Sequence, residues 1–193
     1  VTRTEMPQVS LHPFTGVEGR ALFRAASSIH VDVYAEPLFG GHPFFSEEAF
    51  EQRFTMAVEQ PGFEIIFARQ DDGTDVALMY GYTLTQELRW WDEVRWQPDV
   101  MRTLPGGYTD EDGTRTVVIP EILVRRPYRR AGIARTMHDD FMARRKEERA
   151  GLRVLPDNLP ARAAYLAWGW STVGTVCPVP QAPTYECMVK NLH

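Results

Sequence analysis

The 193-residue chain is short of several things, and each shortage removes a class of explanation. Its two cysteines, Cys177 and Cys187, have no metal-type spacing and no neighbouring histidine cluster. Neither a disulfide framework nor a metal site is therefore expected, and both thiols are expected to be reduced and buried. Lys146 and Lys190 are the only lysines, against 19 arginines, and the formal net charge is −5. Bulk electrostatics thus give nucleic acid no help, and any anion site must be local. The arginine bias itself fits a GC-rich bacterial genome. No apolar run approaches the roughly 20 residues that span a bilayer. VTRTEMPQVS at the start lacks the apolar centre of a signal peptide. A cytoplasmic location without a membrane partner is the expectation. No internal repeat or low-complexity tract is present.

What is present reads as one globular domain, 1–193, since 44% of the residues are hydrophobic, enough for a sizeable core. A short strand over 8–12 precedes a helical pattern over 17–34, and Ser46 is placed to cap a second helix with Glu47 and Glu48 in its first turn. Two apolar runs, 63–69 and 76–84, flank Gln70-Asp71-Asp72-Gly73-Thr74 and predict a β-hairpin. The stretch 86–112 is rich in tryptophan and irregular. A strand over 117–124, a helix over 135–150, a strand over 152–156, a helix over 160–168 and strands near 170–176 and 184–190 complete a mixed α/β order.

Two segments carry chemistry. RRPYRRAGIA at 125–134 stands between a strand and a helix. Such a turn points several backbone N–H groups into one concavity, with the positive end of the helix dipole behind them, and a pyrophosphate suits it. Gly132 lets the backbone approach closely, Ala134 keeps the helix start small, and Arg129 and Arg130 offer charge-assisted bonds. It is neither a Gly-Lys-Ser/Thr phosphate loop nor a G-x-G-x-x-G fingerprint. Downstream, LPDNLPARAAYLAWGW places Asn158, Ala161 and Tyr165 at spacings of three and four, along one helical face.

Together these segments resemble the GNAT superfamily of acetyl-CoA-dependent N-acyltransferases. Arg129, Gly132 and Ala134 fit its Arg/Gln-x-x-Gly-x-Gly/Ala pyrophosphate motif. Asn158, Ala161, Tyr165, Gly169 and Trp170 fit its second motif. The resemblance covers about 114–190 by motif. It implies a splayed mixed sheet flanked by helices, with the pantetheine arm paired to the strand edge at Ile122, Leu123 and Val124. The pyrophosphate is then expected on Arg129, Arg130, Ala131, Gly132, Ile133, Ala134 and Arg135. Asn158 is expected near the pantetheine arm, and Tyr165 is expected to protonate the leaving thiolate.

Glu121 is an acid inside an apolar strand, which requires a partner or a cleft. The resemblance makes it the candidate base, although Pro120 and Val118 occupy two positions where relatives often carry one; a structural role at the sheet stays open. His30, Asp32 and Glu36 form a second set of candidates, and the tryptophans at 90, 91 and 96 with nearby aromatics are candidates for an acceptor wall or a packed lid. The expected activity is acetyl transfer to a small-molecule amine without a metal, with a homodimer left open. A catalytically silent acyl-CoA-binding module, or acetylation of a protein or tRNA-linked amine, remains the alternative.

Overall fold

The computed structural model describes residues 8–193. They fall into two compact units, the first containing the described residues to Gly81 together with Glu121–Arg144, the second Tyr82–Pro120 together with Arg145–His193. The architecture is mixed α/β, with eight strands and six α-helices among the described residues.

In the first unit, strand β1 (Val9–Thr15) pairs antiparallel with β2 (Glu64–Gln70), and β2 pairs antiparallel with β3 (Asp75–Thr83). The hairpin turn closes where Gly73 takes φ +87° and the Asp72 carboxylate accepts the Thr74 N–H at 2.9 Å. The expected first helix is two: α1 (Val17–Ala21) and α2 (Phe23–Tyr34), separated at Leu22. Close packing fixes α1, since a Cβ on Gly19 would lie 2.6 Å from the Phe63 ring. Helix α3 (Glu47–Val58) starts as its sequence predicts, with Ser46 Oγ accepting the Ala49 N–H at 3.2 Å. Its Phe50 and Phe54 stripe is buried with Phe63 and Tyr80 and packs against half-buried Phe23. Helix α5 (Ile133–Ala143) follows the arginine-glycine turn and buries Ile133, Met137 and Phe141.

The second unit orders its strands β5-β6-β8-β7-β4, with β4 (Arg95–Trp96), β5 (Thr116–Val124), β6 (Arg149–Val154), β7 (Ser171–Val176) and β8 (Tyr185–Asn191). Only β5 and β6 pair in parallel there; their register runs from Thr116↔Arg149 to Ile119↔Leu152. Pro120, the next residue of β5, has no N–H to offer a neighbour, and β5 continues past that last rung to Val124. A Cβ on Gly174 would meet the Arg95 carbonyl oxygen at 2.5 Å, so β4 can approach β7 only across a glycine. Short α4 (Pro98–Thr103) lies in the stretch read as irregular, and α6 (Leu159–Ala167) precedes β7.

Three expectations are corrected. The helix predicted to reach residue 150 ends at Ala143, and β6 begins at Arg149 rather than at 152. Residues 144–149 have helical propensity, but buried polar bonds draw them elsewhere. Glu147 accepts from Thr83 Oγ1 at 2.6 Å and pairs with Arg145, while Arg149 pairs with Glu111. Of the two thiols, Cys187 is buried and Cys177 is exposed; both are free.

Candidate active site

The first unit gathers a cluster of ionisable and aromatic side chains. Glu121, on β5, is only 6% exposed. Tyr34, at the end of α2, donates its hydroxyl to Glu121 Oε2 at 2.8 Å. Burial pushes the carboxyl up to about 7, against smaller opposing effects from the Arg53 charge and the Tyr34 bond. A carboxylate so placed is poised to exchange a proton near neutrality.

Aromatic rings surround Tyr34. Tyr34 stacks on Phe45 at 4.6 Å, meets Phe39 at 4.4 Å and contacts the His30 ring at 4.3 Å. His30 is fully buried and lies flat on Phe50 at 4.1 Å, and neither ring nitrogen finds a hydrogen-bond partner among the described residues. Burial, reinforced by the Arg53 charge, lowers its pKa to about 3, so the ring is neutral. Arg53 itself donates to the Phe44 carbonyl at 2.7 Å and sits 4.3 Å above the Phe44 ring.

The turn after β5 opens α5 on a glycine. Gly132 is the N-cap of α5 at φ +79°, with no side chain capping the helix and nothing within 4 Å of where its Cβ would lie. Arg130 is also left-handed, at φ 62°. The N–H groups opening an α-helix have no partners within that helix, and here they follow a turn of small residues, Ala131, Gly132 and Ala134.

The arginines divide their work differently from the expectation of two phosphate ligands side by side. Arg129 grips both carboxylate oxygens of Glu36 at 2.9 and 2.5 Å and bonds back to the Val124 carbonyl at 3.0 Å. Arg125 forms an ion pair with Asp32 and donates to Ser28 and the Asp75 carbonyl. Arg135 pairs along its own helix with Asp139 at 2.5 Å. Arg130 makes no hydrogen bond or ion pair among the described residues and is exposed. The acids of the second candidate set, Asp32 and Glu36, thus anchor the arginine turn.

In the second unit, Asn158 caps α6, its Oδ1 accepting the Ala161 N–H at 3.3 Å. Tyr165 packs edge-on against Trp168 at 5.7 Å and beside Trp170 at 6.2 Å. An open pocket of about 410 Å³ is lined by Trp90, Trp91 and Trp96 with Asp92, Asp110 and Glu111 among others. Trp91 there donates to Glu111 at 2.7 Å and stacks on Trp96. The phenylalanines at 39, 44 and 45, by contrast, belong to the first unit and face Tyr34, one another and Arg53.

Sequence reasoning passed over Tyr34 and Arg53. A signal existed for Tyr34, which stands four residues after His30 and so shares its helical face. Nothing local marks Arg53, because Phe44 and Glu121 reach it through the fold. Among the described residues, no group of three metal-ligating side chains is brought together.

No family model and no curated protein matches the sequence. Solved structures do. The ribosomal-protein alanine N-acetyltransferase of Escherichia coli is similar at a TM-score of 0.61 and 14% identity, over 96% of this chain and 94% of that one. An acetyltransferase from Thermus thermophilus is similar at 0.58 and 15%, over 96% and 98%. A spermidine N-acetyltransferase chimera from Vibrio cholerae and hSSAT is similar at 0.59 and 12%, over 96% of both chains. The chain therefore has the fold of these N-acetyltransferases, in keeping with the GNAT resemblance of its two motifs.

Proposed function

We propose that this chain is an acetyl-CoA-dependent N-acetyltransferase that moves an acetyl group to the amine of a small molecule by direct attack. The observation that carries the reading is the left-handed, uncapped Gly132 at the start of α5, directly after the arginine turn. Its open concavity fits a pyrophosphate, and bound acetyl-CoA would supply the activated acetyl thioester. Residues 129–135 would hold the phosphates, Arg129 mainly by fixing the turn through Glu36, and Arg130 by its own charge. The edge at Ile122, Leu123 and Val124 would receive the pantetheine arm.

An ordinary alkylammonium loses its proton near pH 10, judged from lysine at about 10.4, so attack needs a base. Glu121 takes that proton. The amine nitrogen then bonds to the thioester carbon, the C–S bond breaks, the thiolate leaves with the bonding pair, and the second proton shed by the nitrogen returns through solvent to the phenol that protonates the sulfur. Tyr165 supplies the proton to sulfur, a role that rests on its place in the Asn158, Ala161, Tyr165, Gly169 pattern. Asn158 is assigned to the pantetheine end of the site on the same basis, besides capping α6. Known relatives in fold act on acceptors as different as a ribosomal-protein alanine and spermidine. A small-molecule acceptor is favoured by Glu121 being buried against Tyr34 rather than lying on an open face.

Gly132→Glu tests the cofactor assignment. It places bulk and negative charge in the concavity, and calorimetry with CoA is expected to show no binding. Gly132→Ala, whose Cβ has open space but an unfavourable backbone angle, should lose less. Unchanged affinity in folded Gly132→Glu would overturn the reading.

A further inference from the structure

The pocket of the second unit has in its wall a carboxylate whose two oxygens are used unequally. Glu111 lines the pocket beside Trp91, and its side chain is only 4% exposed. Every donor that reaches this side chain goes to Oε1: the Trp91 indole at 2.7 Å, the Thr116 hydroxyl at 2.7 Å and an Arg149 N–H at 3.0 Å. Oε2 is buried too, and it has no hydrogen-bond partner among the described residues. A carboxylate accepts at both oxygens, so the chain desolvates Oε2 and returns it no bond. Such a group in the wall of an open pocket calls for a donor from outside the chain.

The charges beside it select the kind of donor. Asp92 is paired with Arg89 at 2.7 Å and Glu111 with Arg149 at 3.0 Å. Asp110 also lines the pocket, and its carboxylate makes no hydrogen bond or ion pair among the described residues. Arg115 donates to the Asp110 carbonyl but is itself paired with Glu148. Three carboxylates of the lining thus meet two guanidinium groups in contact, one negative charge over. A cation that carries N–H groups answers both the surplus charge and the bare oxygen.

The tryptophans set the rest of the ligand. The Arg153 guanidinium carbon lies 3.7 Å above the Trp90 ring and that of Arg149 5.4 Å above the Trp91 ring, while Trp91 stacks on Trp96 at 5.6 Å. Trp90 and Trp91 each have a face committed to a protein cation already. The charge of a ligand therefore falls to the carboxylates, and the rings offer surface to its apolar part. The pocket volume of about 410 Å³ lies within the range of small-molecule sites, about 300–1,000 Å³.

We infer that this pocket binds a small organic molecule bearing a primary ammonium group, which donates an N–H to Glu111 Oε2 while Asp110 balances its charge and the tryptophans pack on its apolar part. A quaternary ammonium has no N–H and leaves Oε2 bare, and an anion is repelled. Every residue named belongs to the second unit. The site does not rest on the transferase reading, because binding is measured without acetyl-CoA.

Calorimetry on the whole chain tests it with three probes: 2-phenylethylamine, 2-phenylethyltrimethylammonium and 3-phenylpropionate. Wild type at pH 7 should bind the primary amine at least about tenfold more tightly than either of the others. Glu111→Gln should weaken the amine at least about tenfold, as loss of a hydrogen bond to a charged group does. Asp110→Asn alters an exposed side chain and should weaken it about two- to fivefold. If Glu111→Gln fails to fold, the wild-type preference and Asp110→Asn decide the matter. No binding of the amine leaves water as the donor to Oε2 and overturns the inference. A quaternary probe bound as tightly as the amine, or an amine affinity unchanged in the folded variants, overturns it as well.

Discussion

Glu121 of the first unit and the buried carboxylates of the second are held in opposite ways, whereas Glu64, also buried in the first unit, is paired with Arg144. In the second unit, Glu111 meets Arg149, Thr116 and the Trp91 indole, and Glu147 meets Arg145 and Thr83. Those carboxylates have cations in contact, and Glu147 is held below the usual range by its bonds despite burial. In the first unit, Glu121 is buried just as deeply, yet its hydrogen bond comes from a neutral phenol, and its pKa is raised instead. A paired carboxylate holds its charge and fixes structure. An unpaired one is left able to take a proton, which is what a base requires.

Glu121→Gln breaks the comparison most sharply. The amide keeps shape and can still accept from Tyr34, so the fold should survive while kcat/KM falls by roughly 100 to 10,000-fold, the usual range for general acid–base catalysis. Stability should change with a specific sign. The folded carboxyl holds its proton up to about pH 7, while the unfolded group releases it near 4.5. The native state therefore binds more protons between those values, and Glu121 costs stability as pH rises through that window. Chemical denaturation at pH 5 and pH 8 should show the glutamine variant gaining on wild type at the higher pH, by up to about 3 kcal/mol. A variant with wild-type turnover across pH would make Glu121 structural and return the base to the remaining polar groups of α2.

Arg149→Leu attacks the opposite kind of site. Removing one partner of a buried pair leaves Glu111, only 4% exposed, as an uncompensated charge. The expected cost is about 3–5 kcal/mol of unfolding free energy. The double variant Arg149→Leu with Glu111→Leu should recover much of it, because matched apolar side chains remove both desolvation penalties. If the single variant unfolds at the same denaturant midpoint as wild type, the contrast between Glu111 and Glu121 is not one of structure against chemistry.

The sequence made this contrast half visible. Strand and helix alternation, the Ser46 cap, the hairpin and the glycine turn all follow from local patterns, and the structure has each of them. The break at Leu22 and the end of α5 at Ala143 do not, the second because the bonds of Glu147 and Arg149 draw the chain out of the helix. Glu121 stood out as an acid in an apolar strand. Its environment was illegible, since Tyr34 and Arg53 come from 87 and 68 positions away in the chain. For the same reason Arg129 and Arg130 read as two phosphate ligands side by side, although Glu36 already engages Arg129.

Tyr34→Phe asks for the finest distinction. The ring, with its contacts to His30, Phe39 and Phe45, is retained, and only the hydroxyl that donates to Glu121 is lost. That bond favours the charged carboxylate, so its removal should raise the Glu121 pKa further. A base that must be ionised would then act only at higher pH. The acidic limb of the kcat/KM profile should move upward, while the plateau above it changes little, because the more basic carboxylate abstracts a proton at least as well once ionised. His30 does not confuse the reading, since its neutral ring titrates near 3, well below the limb. A limb that stays in place with the plateau lowered would instead assign Tyr34 to holding the acceptor, and KM for the amine would rise with it. A profile unchanged in both respects would remove the phenol from the chemistry and leave burial alone to set the proton affinity of Glu121.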